Sequence, residues 1–207
     1  MGVDAALLTV VLVVLAVIFL ARHRHGTVGA RCFRRAGFGV TVLIAGFFGL
    51  FLVGETLSDP GGWEGVGLVA LWAIPLALVC LLAWSRPDAA GWVFAPLVAL
   101  VIGASVSFAV DPNGWRSFES HHGPVRAVIV FAVAVALAVW GLRRTMWAGM
   151  MLLVVGILPI VISSLGHDGM ASLVAASSAP AITGLLYVAA ARLDRRRPPP
   201  RADAPSD

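Results

Sequence analysis

Five side chains in two short polar stretches hold the groups best able to do chemistry. They are Glu119, His121 and His122 in one stretch, and His167 and Asp168 in the other. Three imidazoles with a carboxylate make a ligand set for zinc. That ion takes nitrogen and oxygen donors tetrahedrally and, with one position open, turns bound water into a nucleophile near neutral pH. Ser163 and Ser164 stand just before His167 and Asp168, so the second possible chemistry is a serine activated by a loop histidine. Both readings compete with a plainer one. Neighbouring histidines such as His121 and His122 point apart on regular structure, a solvated histidine needs no special partner, and serine is a common small packing residue. No cofactor is therefore expected; zinc at an outer-face site is the alternative.

The elements that must position these groups are apolar. Seven long runs cover 5–21, 38–57, 66–84, 89–110, 125–142, 145–165 and 169–191, in a chain that is 59% hydrophobic. Most are near 20 residues, which at about 1.5 Å per residue spans a hydrocarbon core of about 30 Å. Backbone groups in lipid must pair within their own segment, so each run is expected to be a helix. The fold class that follows is all-α: a polytopic membrane protein with a bundle of seven transmembrane helices over 1–193. A disordered Arg/Pro-rich tail is expected over 194–207, because that stretch has nothing to bury.

Charge orients the bundle. Arg22, Arg24, Arg31, Arg34 and Arg35 follow the first run, Arg86 the third, and Arg143 and Arg144 the fifth. Arg192, Arg195, Arg196, Arg197 and Arg201 follow the seventh, and only Arg116 and Arg126 fall on the other side. With the acids included, the first side carries +9 and the second −5, in accord with the formal +4 of the whole chain. The positive-inside rule then places the amino terminus outside and the carboxyl terminus in the cytoplasm. Tryptophan supports this: Trp84, Trp92, Trp140 and Trp147 fall at inner ends, Trp63 and Trp115 at outer ends, where amphipathic indoles favour the headgroup level. The first run is not expected to be a cleavable signal, since its basic flank follows the apolar stretch. The basic pI comes from these loop determinants, so no nucleic-acid partner is expected. Cys32 and Cys80 both fall toward the reducing side and imply no disulfide. A bias to Ala, Gly, Val and Arg, with lysine and glutamine absent, points to a GC-rich bacterial genome.

Several functions are excluded or disfavoured. A retinal Schiff base needs a lysine, and there is none. A membrane haem needs an axial ligand at depth, and no histidine falls inside an apolar run. Ion pumps carry ionisable groups at depth, whereas only Glu55 approaches that position, about one turn from the outer boundary and within reach of Arg126. Pro75, Pro96, Pro159 and Pro180 lie within four of the runs and free carbonyls there, a feature of kinked packing as well as of transport sites. Ala45 with Gly49, and Gly103 with Ser107, have the spacing that lets helices approach closely. Asp59–Trp63 and Asp111–Trp115 share the pattern Asp-Pro-x-Gly-Trp, read as two similar turns with Asp capping, Pro in the first turn and Trp anchoring.

The remaining polar groups crowd toward the outer face. Ser105, Ser107, Ser163, Ser164, Ser172, Ser177 and Ser178 are expected to line a vestibule roofed by the histidines. Two function classes result. The preferred one is a multi-pass, non-enzymatic protein of the plasma (cytoplasmic) membrane: an accessory or assembly subunit with a membrane-protein partner, or a carrier of a neutral solute. The alternative is an outward-facing metal-dependent hydrolase or transferase acting on lipid or cell-envelope material. The arginines named above, including Arg195, Arg196 and Arg197, are expected to set topology and meet lipid headgroups.

Overall fold

The computed structural model describes residues 27–56, 62–122, 125–165 and 170–195. Among these residues the chain is helical throughout, without strands. The helices are Thr27–Thr56 (α1), Gly62–Ser85 (α2), Pro87–Val110 (α3), Pro112–His122 (α4), Val125–Gly141 (α5), Thr145–Leu165 (α6) and Met170–Arg195 (α7). The first apolar run, with Arg22 and Arg24, and the end of the chain from Arg196 and Arg197 onward lie outside the described residues.

Helix α2, helix α3 and residues Thr145–Ile162 of α6 are long and apolar enough to cross a membrane, and α5 is apolar but shorter. Their outward faces support a membrane setting. Leu71, Ile74, Leu78 and Leu81 make an exposed aliphatic stripe along α2, a patch that water would not tolerate and lipid would solvate.

Helix α5 is the centre of the bundle. Helices α1, α2, α3, α6 and α7 all pack against it, and they meet one another in that order around it, with α7 returning to α1. Burial follows: Val130, Val133, Ala134, Leu137, Ala138 and Trp140 are all shielded. The closest approach is between α6 and α7. A Cβ on Gly156 would sit 2.5 Å from the Ala181 amide nitrogen, and one on Gly184 would sit 2.8 Å from that of Leu153. Only glycine permits backbones so close, and in lipid close packing is the main attraction between helices.

The glycines that the sequence motif singled out behave differently. Gly103 and Gly49 have no described atom within 4 Å of a would-be Cβ. Among the described residues, these two glycines therefore do not form the close helix contacts, although Ala45 packs against Ala127, Phe131 and Ala179. A spacing motif reports a smooth face, and several smooth faces compete for few interfaces.

Polar contacts between α1 and α7 fix their antiparallel register. Arg34 meets Asp194 at 2.8 Å, and the buried hydroxyls of Thr41 and Thr183 lie 2.7 Å apart. Tyr187, between these two levels, donates its hydroxyl to the Ala138 carbonyl at 2.7 Å. That carbonyl belongs to the last turn of α5, and the Leu142 amide turns instead to Val139. The tyrosine therefore supplies the bond that the helix end leaves unmade.

Two expectations about connections need correcting. Arg31, Arg34 and Arg35 do not stand in a loop; α1 starts at Thr27 and carries them on its first turns. Arginine is a good helix former, and a long side chain can stay charged at the bundle end while its helix continues. Likewise α7 runs through Asp194 to Arg195, where Arg192 and Arg195 favour the negative end of its dipole. Sorting by end agrees with the charge count. The start of α1, the start of α3, the α5–α6 turn and the end of α7 share one end, joined by the Arg34–Asp194, Tyr187–Ala138, Trp140–Pro87 and Arg144–Asp88 contacts.

Candidate functional site

At the opposite end, the segment holding Glu119, His121 and His122 is helix α4 rather than a loop. Asp111 starts it by accepting the Gly114 amide on its carboxylate at 2.9 Å, and Pro112 occupies the first turn, where no amide is needed. Glycine at 114 makes room for that cap, since a Cβ there would lie 2.2 Å from the Asp111 carboxylate. Trp115 donates its Nε1 to Ser107 Oγ at 3.1 Å and so fastens α4 to the end of α3. The capping and anchoring expected of Asp-Pro-x-Gly-Trp are present in this copy. In the other copy Gly62 has φ +58 and itself begins α2, whereas Gly114 lies inside α4; Asp59, Pro60 and Gly61 lie outside the described residues.

Glu119 is not free to serve a metal or a substrate. Both of its oxygens are taken by Arg126, from Nε at 2.8 Å and from Nη2 at 2.8 Å. The bonds from Arg126 hold the Glu119 carboxyl below the usual range for glutamate, against the opposing effect of burial. The guanidinium lies 3.6 Å from the centroid of the Phe108 ring and 6.0 Å from that of Trp115, in a cation–π arrangement with α3 and α4. Arg126, expected opposite Glu55, is thus used on Glu119; the Glu55 side chain lies outside the described residues. The sequence signal for the pair is a spacing of seven across the short break between α4 and α5.

The other predicted residues are brought together only in part. His121 and His122 occupy the last turn of α4, and Ser163 and Ser164 the last turn of α6, but their side chains lie outside the described residues. His167 and Asp168 lie wholly outside them. Of the expected vestibule serines, Ser105 is buried and donates to the Val101 carbonyl of its own helix at 2.8 Å. Ser107 donates to Ala104 and receives Trp115. Ser177 is fully buried, and its hydroxyl has no hydrogen-bond partner among the described residues. Ser105 and Ser107 serve helix backbones and packing.

Among the described residues, one opening on the side of the bundle is apolar. Where α1 and α2 diverge, a cleft of about 290 Å³ exposes the side of α5. Ala45, Gly46 and Gly49 of α1 form its smooth wall, Trp72 of α2 faces them, and Val128 and Ala132 of α5 form the floor. Beside it Leu43 and Phe47 stand 75% and 76% exposed. This is where the Ala45/Gly49 motif is spent: on a surface that leaves room for another backbone. Trp72, the one indole away from the interfaces, is explained by the same cleft. Comparison with family models, with curated proteins and with solved structures finds no match for this chain, so its function is argued from this geometry alone.

Proposed function

We propose that the protein is a non-enzymatic, multi-pass subunit of the cytoplasmic membrane. It crosses the bilayer seven times, amino terminus outside and arginine-rich end inside, and serves as a packing partner for another membrane protein. The observation that carries this reading is the cleft between α1 and α2, with small residues on one wall and α5 open behind them. In lipid, a helix gains little by hiding apolar surface and much by close contact, so a smooth open wall is most valuable to a second helix. A carrier for a neutral polar solute needs hydroxyls or amides in its path, and the cleft walls are aliphatic, small or aromatic. The subunit reading is therefore preferred over the carrier. The engagement of Glu119 by Arg126 weighs against the hydrolase alternative, because it removes one donor from the proposed zinc set.

The experiment is site-specific photo-crosslinking in native membranes from position 46, with position 100 on the exposed face of α3 as control. The reading expects one distinct membrane protein, identified by mass spectrometry, captured from position 46 and lost on Gly49→Leu. Crosslinks only to lipid or within the chain, or the same products from both positions, would refute it.

A further inference from the structure

A second opening lies at the arginine end, and its character changes along its length. Between α3, α5 and α6 runs a groove of about 470 Å³. At its rim Asp88, in the first turn of α3, is paired with Arg144 of the α5–α6 turn, with side chains 78% and 50% exposed. Below the rim stand two indoles, Trp92 and Trp147, 86% and 62% exposed. Farther in, the walls are Ala95 and Met151.

The floor is preformed. Trp140 is buried and held in place by donating its Nε1 to the Pro87 carbonyl at 2.7 Å, and it packs on Phe94 with centroids 5.2 Å apart. Opposite it sits Gly91, where a Cβ would approach Trp140 no closer than 3.5 Å. Any larger side chain there would fill the groove. The neighbouring Arg143 is turned away, with its guanidinium 4.6 Å from the centroid of the Trp84 ring. The groove lining thus includes one positive and one negative group, Arg144 and Asp88.

We infer that this groove is a binding site for a zwitterionic phospholipid with a primary-ammonium headgroup, of the phosphatidylethanolamine class. The phosphate meets Arg144, the ammonium donates hydrogen bonds to Asp88, and an acyl chain runs between Trp92 and Trp147 toward Ala95 and Met151. Each group matches its neighbour: guanidinium and phosphate form charge-assisted bonds, and carboxylate needs N–H donors that a quaternary ammonium lacks. Indoles at this depth belong to the headgroup boundary. Opening the Asp88–Arg144 pair to admit the headgroup costs little, since both side chains are exposed and exposed ion pairs are weak. Phosphate is common to all phospholipids, so Asp88 carries the discrimination.

The inference rests on the chain being embedded in a bilayer, and the test separates that premise from the lipid preference. The full chain is reconstituted in phosphatidylcholine vesicles. Phosphatidylethanolamine, phosphatidylglycerol or phosphatidylcholine with brominated acyl chains is then titrated in while tryptophan fluorescence is followed. Bromine quenches indoles it touches, and quenching by any of the three reports embedding. The part that disappears in Trp92→Phe/Trp147→Phe reports the groove. That part should be half-quenched by the ethanolamine lipid at a mole fraction at least about threefold lower than by the other two. Asp88→Asn removes the carboxylate charge and Gly91→Leu fills the groove, and each should abolish the difference. Equal quenching by all three lipids in the unmodified protein, or a preference that survives either substitution, would overturn the inference.

Discussion

Replacing Gly141 with alanine tests how the bundle centre is held together. The new methyl would lie 1.9 Å from Tyr187 Cε2, 2.4 Å from Cδ2 and 2.9 Å from Cζ. To reach ordinary contact the ring would have to retreat by about 1.5 Å, given that Cβ contacts are rarely tighter than about 3.4 Å. It cannot do so freely. Its other edge faces Gly37, where a Cβ would lie 3.0 Å from Cε1, and its own Cβ lies 3.0 Å from the would-be Cβ of Gly149. A retreat of that size also stretches the 2.7 Å bond to the Ala138 carbonyl beyond hydrogen-bonding range. Overpacking costs about 1–3 kcal/mol. The lost hydroxyl adds about 0.6–1.7 kcal/mol, the range measured for bonds between membrane helices. Alanine returns about 0.5–1 kcal/mol of backbone entropy. The expected net loss is about 1–4 kcal/mol, a shift of roughly 5- to 1,000-fold in the unfolding equilibrium. Titration of SDS into detergent-solubilised protein, followed by circular dichroism, measures it. Gly103→Ala, which adds a methyl in open space, should be neutral or slightly stabilising. Tyr187→Leu should recover most of the Gly141→Ala loss in the double variant, because the clash is with the ring. If Gly141→Ala unfolds with Gly103→Ala, or if the two sites act additively, the socket described for Tyr187 is wrong.

Two further outcomes are expected. The Glu119 carboxyl is held below its ordinary value, chiefly by hydrogen bonds from Arg126. Its contribution to stability is therefore present above the ordinary value near 4.3 and is lost as pH falls through that value toward the lowered one. Unfolding midpoints from pH 6 to pH 3 should fall more steeply for the native chain than for Glu119→Gln, and parallel curves would refute the pairing. Reporter tags at the two chain ends should answer from opposite compartments, with the carboxyl-terminal tag inside; a common compartment for both would refute the seven-span topology.

The described apolar helices, and the gathering of arginine at one end of them, were legible residue by residue. Run length answers to bilayer thickness and arginine placement to the charge rule, and both act on each segment locally. The ends of α6 and the cap at Asp111 were readable for the same reason. Helix α4 was missed because its eleven residues lack the length and hydropathy of a span, although Trp115 and Phe118, beside the Asp111 cap, were a signal. The partner of Arg126 was misassigned because Glu55 and Glu119 fall at the same end of the bundle, and charge alone does not choose between them.

What the linear chain determined by itself was which stretches are helical and apolar, and which ends carry arginine. Only the tertiary structure decided that α5 is the centre of the described helices, that Gly156 and Gly184 make the close contact between α6 and α7, and that Tyr187 completes the end of α5. The physical reason is the solvent. In lipid no polar stripe marks an outer face, so every apolar face reads alike in one dimension, and shape and a few hydrogen bonds select the neighbours.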